Sequence, residues 1–225
     1  VYVAAGESGL IVLDASGSTL IERDTATFGD FAYDVAVSDN HAYVAGNATG
    51  LVIYDITTKT NILYRGTFNT SGRAEDVVVS DNYAYVADGD NGLVVVDISN
   101  KASPTLAGSY DTPGHAYGII LSGNYAYVAD GSTGLVVLNV SNVSSITVAD
   151  TYDTTGSATA VAVSGDYAYV ADDTRGVIAL NVADPSSVTS VDSFNTVGNS
   201  YGVAVSGNDL YVADHGNGQI GRAHV

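Results

Sequence analysis

One string recurs down this chain and limits what it can fold into. Ala84-Tyr85-Val86-Ala87-Asp88 returns as Ala126-Tyr127-Val128-Ala129-Asp130, as Ala168-Tyr169-Val170-Ala171-Asp172, and as Leu210-Tyr211-Val212-Ala213-Asp214. Tyr85, Tyr127, Tyr169 and Tyr211 are each 42 apart; Tyr43 precedes Tyr85 by 42, and Tyr2 precedes Tyr43 by 41. A period near 40 filled only with strand patterns marks a propeller. Helical repeats of that length would place apolar residues every 3.6 positions and use far more Leu, Glu and Lys. The expected fold is all-β: a β-propeller of four-stranded antiparallel blades, with five full repeats plus a partial sixth. It is either a five-bladed ring with its last residues displaced or a fragment of a larger ring.

One unit reads as four strands. Strand A is Ala116 to Ser122, and strand B is Tyr125 to Asp130, alternating large and small side chains. Such alternation lets stacked sheets interlock, with Tyr125 and Tyr127 toward one neighbour and Ala126 and Val128 toward the other. A Gly-rich turn leads to strand C, Leu135 to Val140, whose unbroken apolar run implies burial on both faces. Strand D, about Thr147 to Tyr152, completes the blade. Strand A carries small residues at Gly118, Ala160 and Gly202, as convergence on an axis requires. Unit boundaries fall at about 1–40, 41–82, 83–124, 125–166, 167–208 and a partial 209–218. The tail 219–225 leaves the repeat where Leu-Val-Val-Val-Asp is expected; its final IGRAHV resembles a translated sequencing adapter, so residues such as Arg222 and His224 would carry no meaning.

The strings GLVIYDIT (Gly50 to Thr57), GLVVVDIS (Gly92 to Ser99) and GLVVLNVS (Gly134 to Ser141), each after YVAD or its variant, resemble the LVIVD-repeat propellers. The resemblance spans Val1 to about Gly218. It implies an extracytoplasmic, often multidomain surface protein of bacteria or archaea, and it brings no shared enzymatic residues.

Charge narrows the partners. The chain has 7 Lys and Arg against 25 Asp and Glu, a formal charge of −18. That balance opposes nucleic acid and anionic membranes, both of which need basic patches. It suits solubility in salt water or contact with divalent cations. There is no Cys, so disulfides and thiolate metal sites are excluded. No apolar run approaches the roughly 20 residues of a membrane helix. The chain opens on Val1, within a strand pattern, so the start reads as processed or truncated.

Candidate sites follow from blade geometry, which puts the D–A and B–C loops on one face. The B–C loops hold Asp88, Asp90, Asp130 and Asp172. Carboxylates in Gly-rich turns suit Ca²⁺, which takes six to eight oxygens. The alternative is an Asx turn, with each aspartate accepting backbone N–H groups. Near-identical units also differ where strand A begins: Phe31, Arg73, His115, Ser157 and Asn199; then Tyr33, Glu75, Tyr117, Thr159 and Tyr201; then Asp34, Asp76, Gly118, Ala160 and Gly202. Asp34, Glu75, Asp76, His115, Tyr117 and Tyr201 form a candidate ligand funnel at the axial mouth; drift in solvated loops is the alternative. Sequons at Asn47, Asn69 and Asn142 are candidate glycan acceptors, with Asn139 less suited because it lies in strand C. His41 takes the place of Tyr83 and reads as packing, and His215 as a solvated loop residue.

No H-E-x-x-H and no phosphate loop occurs. The leading expectation is a non-catalytic extracellular or cell-surface scaffold or interaction module for protein or glycan. Incomplete blades at both ends would also allow pairing into a homo-oligomer or filament. The competing expectation is a Ca²⁺-dependent hydrolase or lactonase working in the axial funnel.

Overall fold

The structure, a computed structural model, describes residues 1–215 and the backbone of 220–224. It is all-β, with no helix among the described residues. Strands β1 (Tyr2–Ala4), β2 (Leu10–Asp14) and β3 (Ile21–Ala26) form the first sheet. The second sheet holds β4 (Asp34–Ser38), β5 (His41–Ala45), β6 (Leu51–Asp55) and β7 (Leu63–Phe68). The third holds β8 (Asp76–Ser80), β9 (Tyr83–Ala87), β10 (Leu93–Asp97) and β11 (Thr105–Tyr110). The fourth holds β12 (Gly118–Ser122), β13 (Tyr125–Ala129), β14 (Leu135–Asn139) and β15 (Thr147–Tyr152). The fifth holds β16 (Ala160–Ser164), β17 (Tyr167–Ala171), β18 (Val177–Asn181) and β19 (Thr189–Phe194). The sixth has β20 (Asn199–Ser206), β21 (Asp209–His215) and β22 (Ile220–His224). Strands pair in chain order, so each sheet is a meander, and from the second sheet on strand A precedes the unit boundary drawn on the sequence. Backbone pairing places β22 beside β21; the remainder of the expected tail, residues 219 and 225, lies outside the described residues.

The chain forms two compact units, Val1–Ser109 and Tyr110–Val225. Within each, consecutive sheets interlock as the large–small alternation requires. In the first unit, Tyr43, Ala45, Leu51 and Ile53 pack on Ala84, Val86, Val94 and Val96 of the next sheet. In the second, Tyr127, Ala129 and Val137 pack on Ala168, Val170 and Ile178. The register is constant: Tyr43 faces Ile53 across the β5–β6 ladder, and Tyr127 faces Val137 across β13–β14. Burial pushes the phenol of Tyr43 up to about 12. Truncating a fully buried Leu135 to Ala in such a core costs about 2–5 kcal/mol.

A second device joins consecutive sheets. At four places the residue after the B–C aspartate position adopts a left-handed conformation and forms a backbone bridge to the start of the next strand A. Gly6 pairs with Ala32, Asn47 with Ala74, Gly131 with Ala158, and Asp173 with Ser200. Gly131 has φ 55° and Asn47 φ 51°; glycine and asparagine are the residues that visit this region cheaply. The outer pairings of the first, second, fourth and fifth sheets also carry a bulge, as between Ile53/Tyr54 and Val137/Leu138.

Candidate functional site

The B–C aspartates are buried fasteners. Asp88, Asp130 and Asp172 are wholly buried. Each accepts a hydrogen bond from a threonine on the connector leading into its own sheet: Thr70 to Asp88, Thr112 to Asp130, Thr154 to Asp172. The second oxygen of Asp130 accepts the Gly114 N–H at 2.7 Å. That of Asp88 accepts the Asn91 side-chain amide at 3.0 Å. The glycine is needed there, because a Cβ on Gly72 or Gly114 would collide with the aspartate behind it. The second oxygen of Asp172 is buried without a hydrogen-bond partner. Desolvation pushes all three carboxyls above the ordinary carboxylate range, against the hydrogen bonds that pull them down. Asp90, two residues from Asp88, is exposed. Among the described residues, no three His, Asp or Glu side chains gather as a metal group.

The second sheet reverses this arrangement. Gly46 stands where the aspartate is expected, and Phe28 stands at the threonine place, 42 before Thr70. A Cβ on Gly46 would press into the Phe28 ring at 2.8 Å. The carboxylate has moved to the connector, at Asp30, the counterpart of Gly72. Asp30 accepts the Asn47 amide at 2.8 Å, the Thr49 N–H at 3.0 Å and the Thr49 hydroxyl at 3.1 Å. Burial alone would raise its carboxyl, but these bonds bring it below the usual range. Sequence reading misses this exchange, since Phe28, Asp30 and Gly46 look like three separate drifts. Their common 42-residue offset from Thr70, Gly72 and Asp88 is the signal that finds them.

The funnel residues divide between the two units. In the first, Arg73 is the organiser. Its Nε lies 2.7 Å from Glu75 and its guanidinium sits 5.0 Å from the centre of the Tyr33 ring. It also donates to the Tyr33 hydroxyl at 3.0 Å, and Phe31 lies 5.9 Å from Tyr33 ring to ring. Asp34 and Asp76 point their carboxylates at the N–H of Val77, at 3.3 and 2.7 Å. In the second unit, His115 and Tyr117 are 4.4 Å apart ring to ring, and Tyr201 meets His215 edge-on at 5.8 Å. Phe31, Tyr33, Tyr117 and Tyr201 are exposed, while the strand-B tyrosines Tyr43, Tyr85, Tyr127 and Tyr169 are buried. His41 packs by Tyr43, and burial lowers its pKa.

Of the sequons, Asn47 is partly buried and bonded to Asp30. Asn69 and Asn142 are exposed, each accepting from a serine N–H two residues on. Gly198-Asn199-Ser200-Tyr201-Gly202 has the spacing of a nucleophile elbow, which sequence reading passes over. An elbow needs the serine exposed on a strained strand-to-helix turn. Ser200 instead lies within β20, fully buried, with its hydroxyl 2.8 Å from that of Thr196.

Antiparallel sheets recurring every 42 residues, the second to fifth of them fastened at the B–C turn, define a propeller-like repeat protein. The chain belongs to the LVIVD repeat family: the repeat matches at residues 29–70, 71–112, 113–154, 155–196 and 197–220. No curated protein sequence matches it. In fold it is similar to the computationally designed Ika8 protein, with TM-score 0.74 and 12% identity over 95% of this chain, which spans 64% of that one. It is similar to a chain of the mitotic checkpoint complex, with TM-score 0.83 and 12% identity over 100% of this chain and 70% of that one. A functionally unknown protein from Desulfotomaculum acetoxidans DSM 771 matches with TM-score 0.73 and 16% identity, over 98% of this chain and 80% of that one. Likeness at this level of identity speaks for the fold alone.

Proposed function

We propose that these repeats belong to a β-propeller that serves as a non-catalytic interaction module outside the cell or on its surface, taking a protein or glycan partner. One observation carries the reading: Arg73, Tyr33, Glu75 and Phe31 are assembled at the start of strands β4 and β8 while two of their rings stay exposed. Exposed tyrosine and arginine held rigid by one another are what binding surfaces use, because little side-chain entropy is then lost on contact. The exposed apolar residues Leu63 and Tyr64 on β7 and Leu106 on β11 make self-association a further use of the same surface chemistry. The test is an array of glycans and peptides probed with the chain and with Arg73→Ala. The expected result is a specific signal that falls about tenfold in the variant. A signal that Arg73→Ala leaves unchanged, or calcium-dependent turnover of a fluorogenic lactone, would overturn the reading.

A further inference from the structure

The fifth sheet departs from its sisters at two positions that meet at one place. Arg175 occupies the turn position held by Thr49, Asn91 and Thr133. In the third sheet that residue, Asn91, donates to the buried aspartate; in the fifth, the second oxygen of Asp172 is left without a hydrogen bond. On the outer strand, Ser190 stands where the other sheets carry Tyr64, Leu106 and Val148, side chains 58%, 56% and 42% exposed. Beside Ser190 lies a cavity of about 330 Å³ within the second unit, lined by Arg175, Ser190, Asp153, Asn195, Tyr152 and Ile178 among others. Its size lies at the lower end of the range of about 300–1,000 Å³ for small-molecule sites.

The lining chemistry selects the ligand. Arg175 offers guanidinium donors. Asp153 spends one carboxylate oxygen on the Thr155 N–H at 2.7 Å, leaving the other as an acceptor for a hydroxyl. Asn195 accepts the Val197 N–H at 2.8 Å through its carbonyl, which leaves its amide nitrogen as the group to donate. Tyr152 and Ile178 supply an apolar wall. Asp153 and Asp173 both lie near enough to act on the carboxyl of Asp172, with Arg175 as the opposing cation. An anionic ligand would meet net repulsion. Donors and acceptors beside an apolar wall suit a ring with hydroxyls on its rim and C–H groups on its face.

We propose that this cavity binds a neutral saccharide unit, with Arg175, Asp153 and Asn195 engaging its hydroxyls and Tyr152 its apolar face. This rests on the reading of the chain as a binding module and adds the ligand class and a second place on the molecule. The test is saturation-transfer NMR on the full chain with a panel of neutral methyl hexosides, and with methyl glucuronide as the anionic arm. Arg175→Thr and Ser190→Val restore residues that sister sheets carry, so both variants should fold; thermal unfolding checks this. At least one neutral hexoside is expected to bind at roughly millimolar concentration, with both variants weakening it about tenfold and the glucuronide binding less well. If Ser190→Val does not fold, Arg175→Thr and Asn195→Asp serve alone. No binding by any neutral hexoside, binding unchanged in the variants, or preference for the glucuronide overturns the proposal. The array result at Arg73 stands apart from each of these outcomes.

Discussion

In the fourth repeat the fastening carboxylate lies in the turn, on Asp130, and reaches across to Thr112 and Gly114 on the connector. In the second repeat it lies on the connector, on Asp30, and reaches the other way to Asn47 and Thr49, while Gly46 and Phe28 fill the vacated places. Both arrangements tie connector to turn, but their electrostatics differ in sign. Asp130 is wholly buried and its charged form is penalised. Asp30 is partly exposed and its charged form is favoured once its bonds are made. A repeat therefore keeps the tie rather than the residue, and the environment decides whether the charged form of its carboxylate is favoured or penalised.

The strongest way to break the comparison is Gly46→Asp alone. The new carboxylate would meet the Phe28 ring and join Asp30 in one pocket, and a loss of about 3 kcal/mol is expected in urea unfolding. Adding Phe28→Thr and Asp30→Gly rebuilds the third-repeat arrangement and should recover most of that loss. A triple variant no better than the single one would show that the two fasteners are not equivalent.

Next in size is the contrast between Asp130→Ala and Asp172→Ala. The first strands a buried hydroxyl and the Gly114 N–H and should cost about 2–3 kcal/mol. The second strands the Thr154 hydroxyl and removes an oxygen that was already unpartnered, for about 1 kcal/mol. Equal losses would mean that the missing bond at Asp172 is of no consequence.

The smallest effect is on the slope of stability with pH. Asp88, Asp130 and Asp172 have raised folded-state values, so their contribution is complete below about pH 4 and is lost as pH rises through those values. Asp30 has a lowered value, and its contribution is present above about pH 4 and lost as pH falls. Replacing the three buried aspartates with asparagine removes the first trend only. Stability of that variant should then fall less than that of the parent as pH rises from about 4, whatever its absolute level. An unchanged slope would count against the burial effect.

Much of the fold was legible because it repeats. Alternation in Tyr125 to Asp130 gave both the strand and its two-sided packing, and the structure returns β13 at Tyr125–Ala129. The sequence marked the aspartates as turn residues, for calcium or for an Asx turn, whereas their donors include threonines 18 residues upstream, a partner that neither reading names. The cluster around Arg73 was only half legible. Tyr33 and Glu75 were marked as divergent, but the link between them runs through a side chain 40 residues from Tyr33. Period analysis sees residues at equal phase; it is blind to contacts between unequal phases. The cavity at Arg175 was hidden for a related reason, since a serine on an outer strand looks ordinary until it is set against Val148, Leu106 and Tyr64.

The 18-residue span of the fastener has a consequence for how such a chain grows. Thr112 and Asp130 lie within a single 42-residue stretch, so a gene segment copied or deleted by unequal crossing-over carries donor and acceptor together. The Gly131–Ala158 bridge differs: it joins neighbours, through main-chain atoms that any copy supplies. Tandem duplication thus adds a blade with its own fastening and a ready-made joint on either side, leaving surface residues such as Arg175 free to diverge.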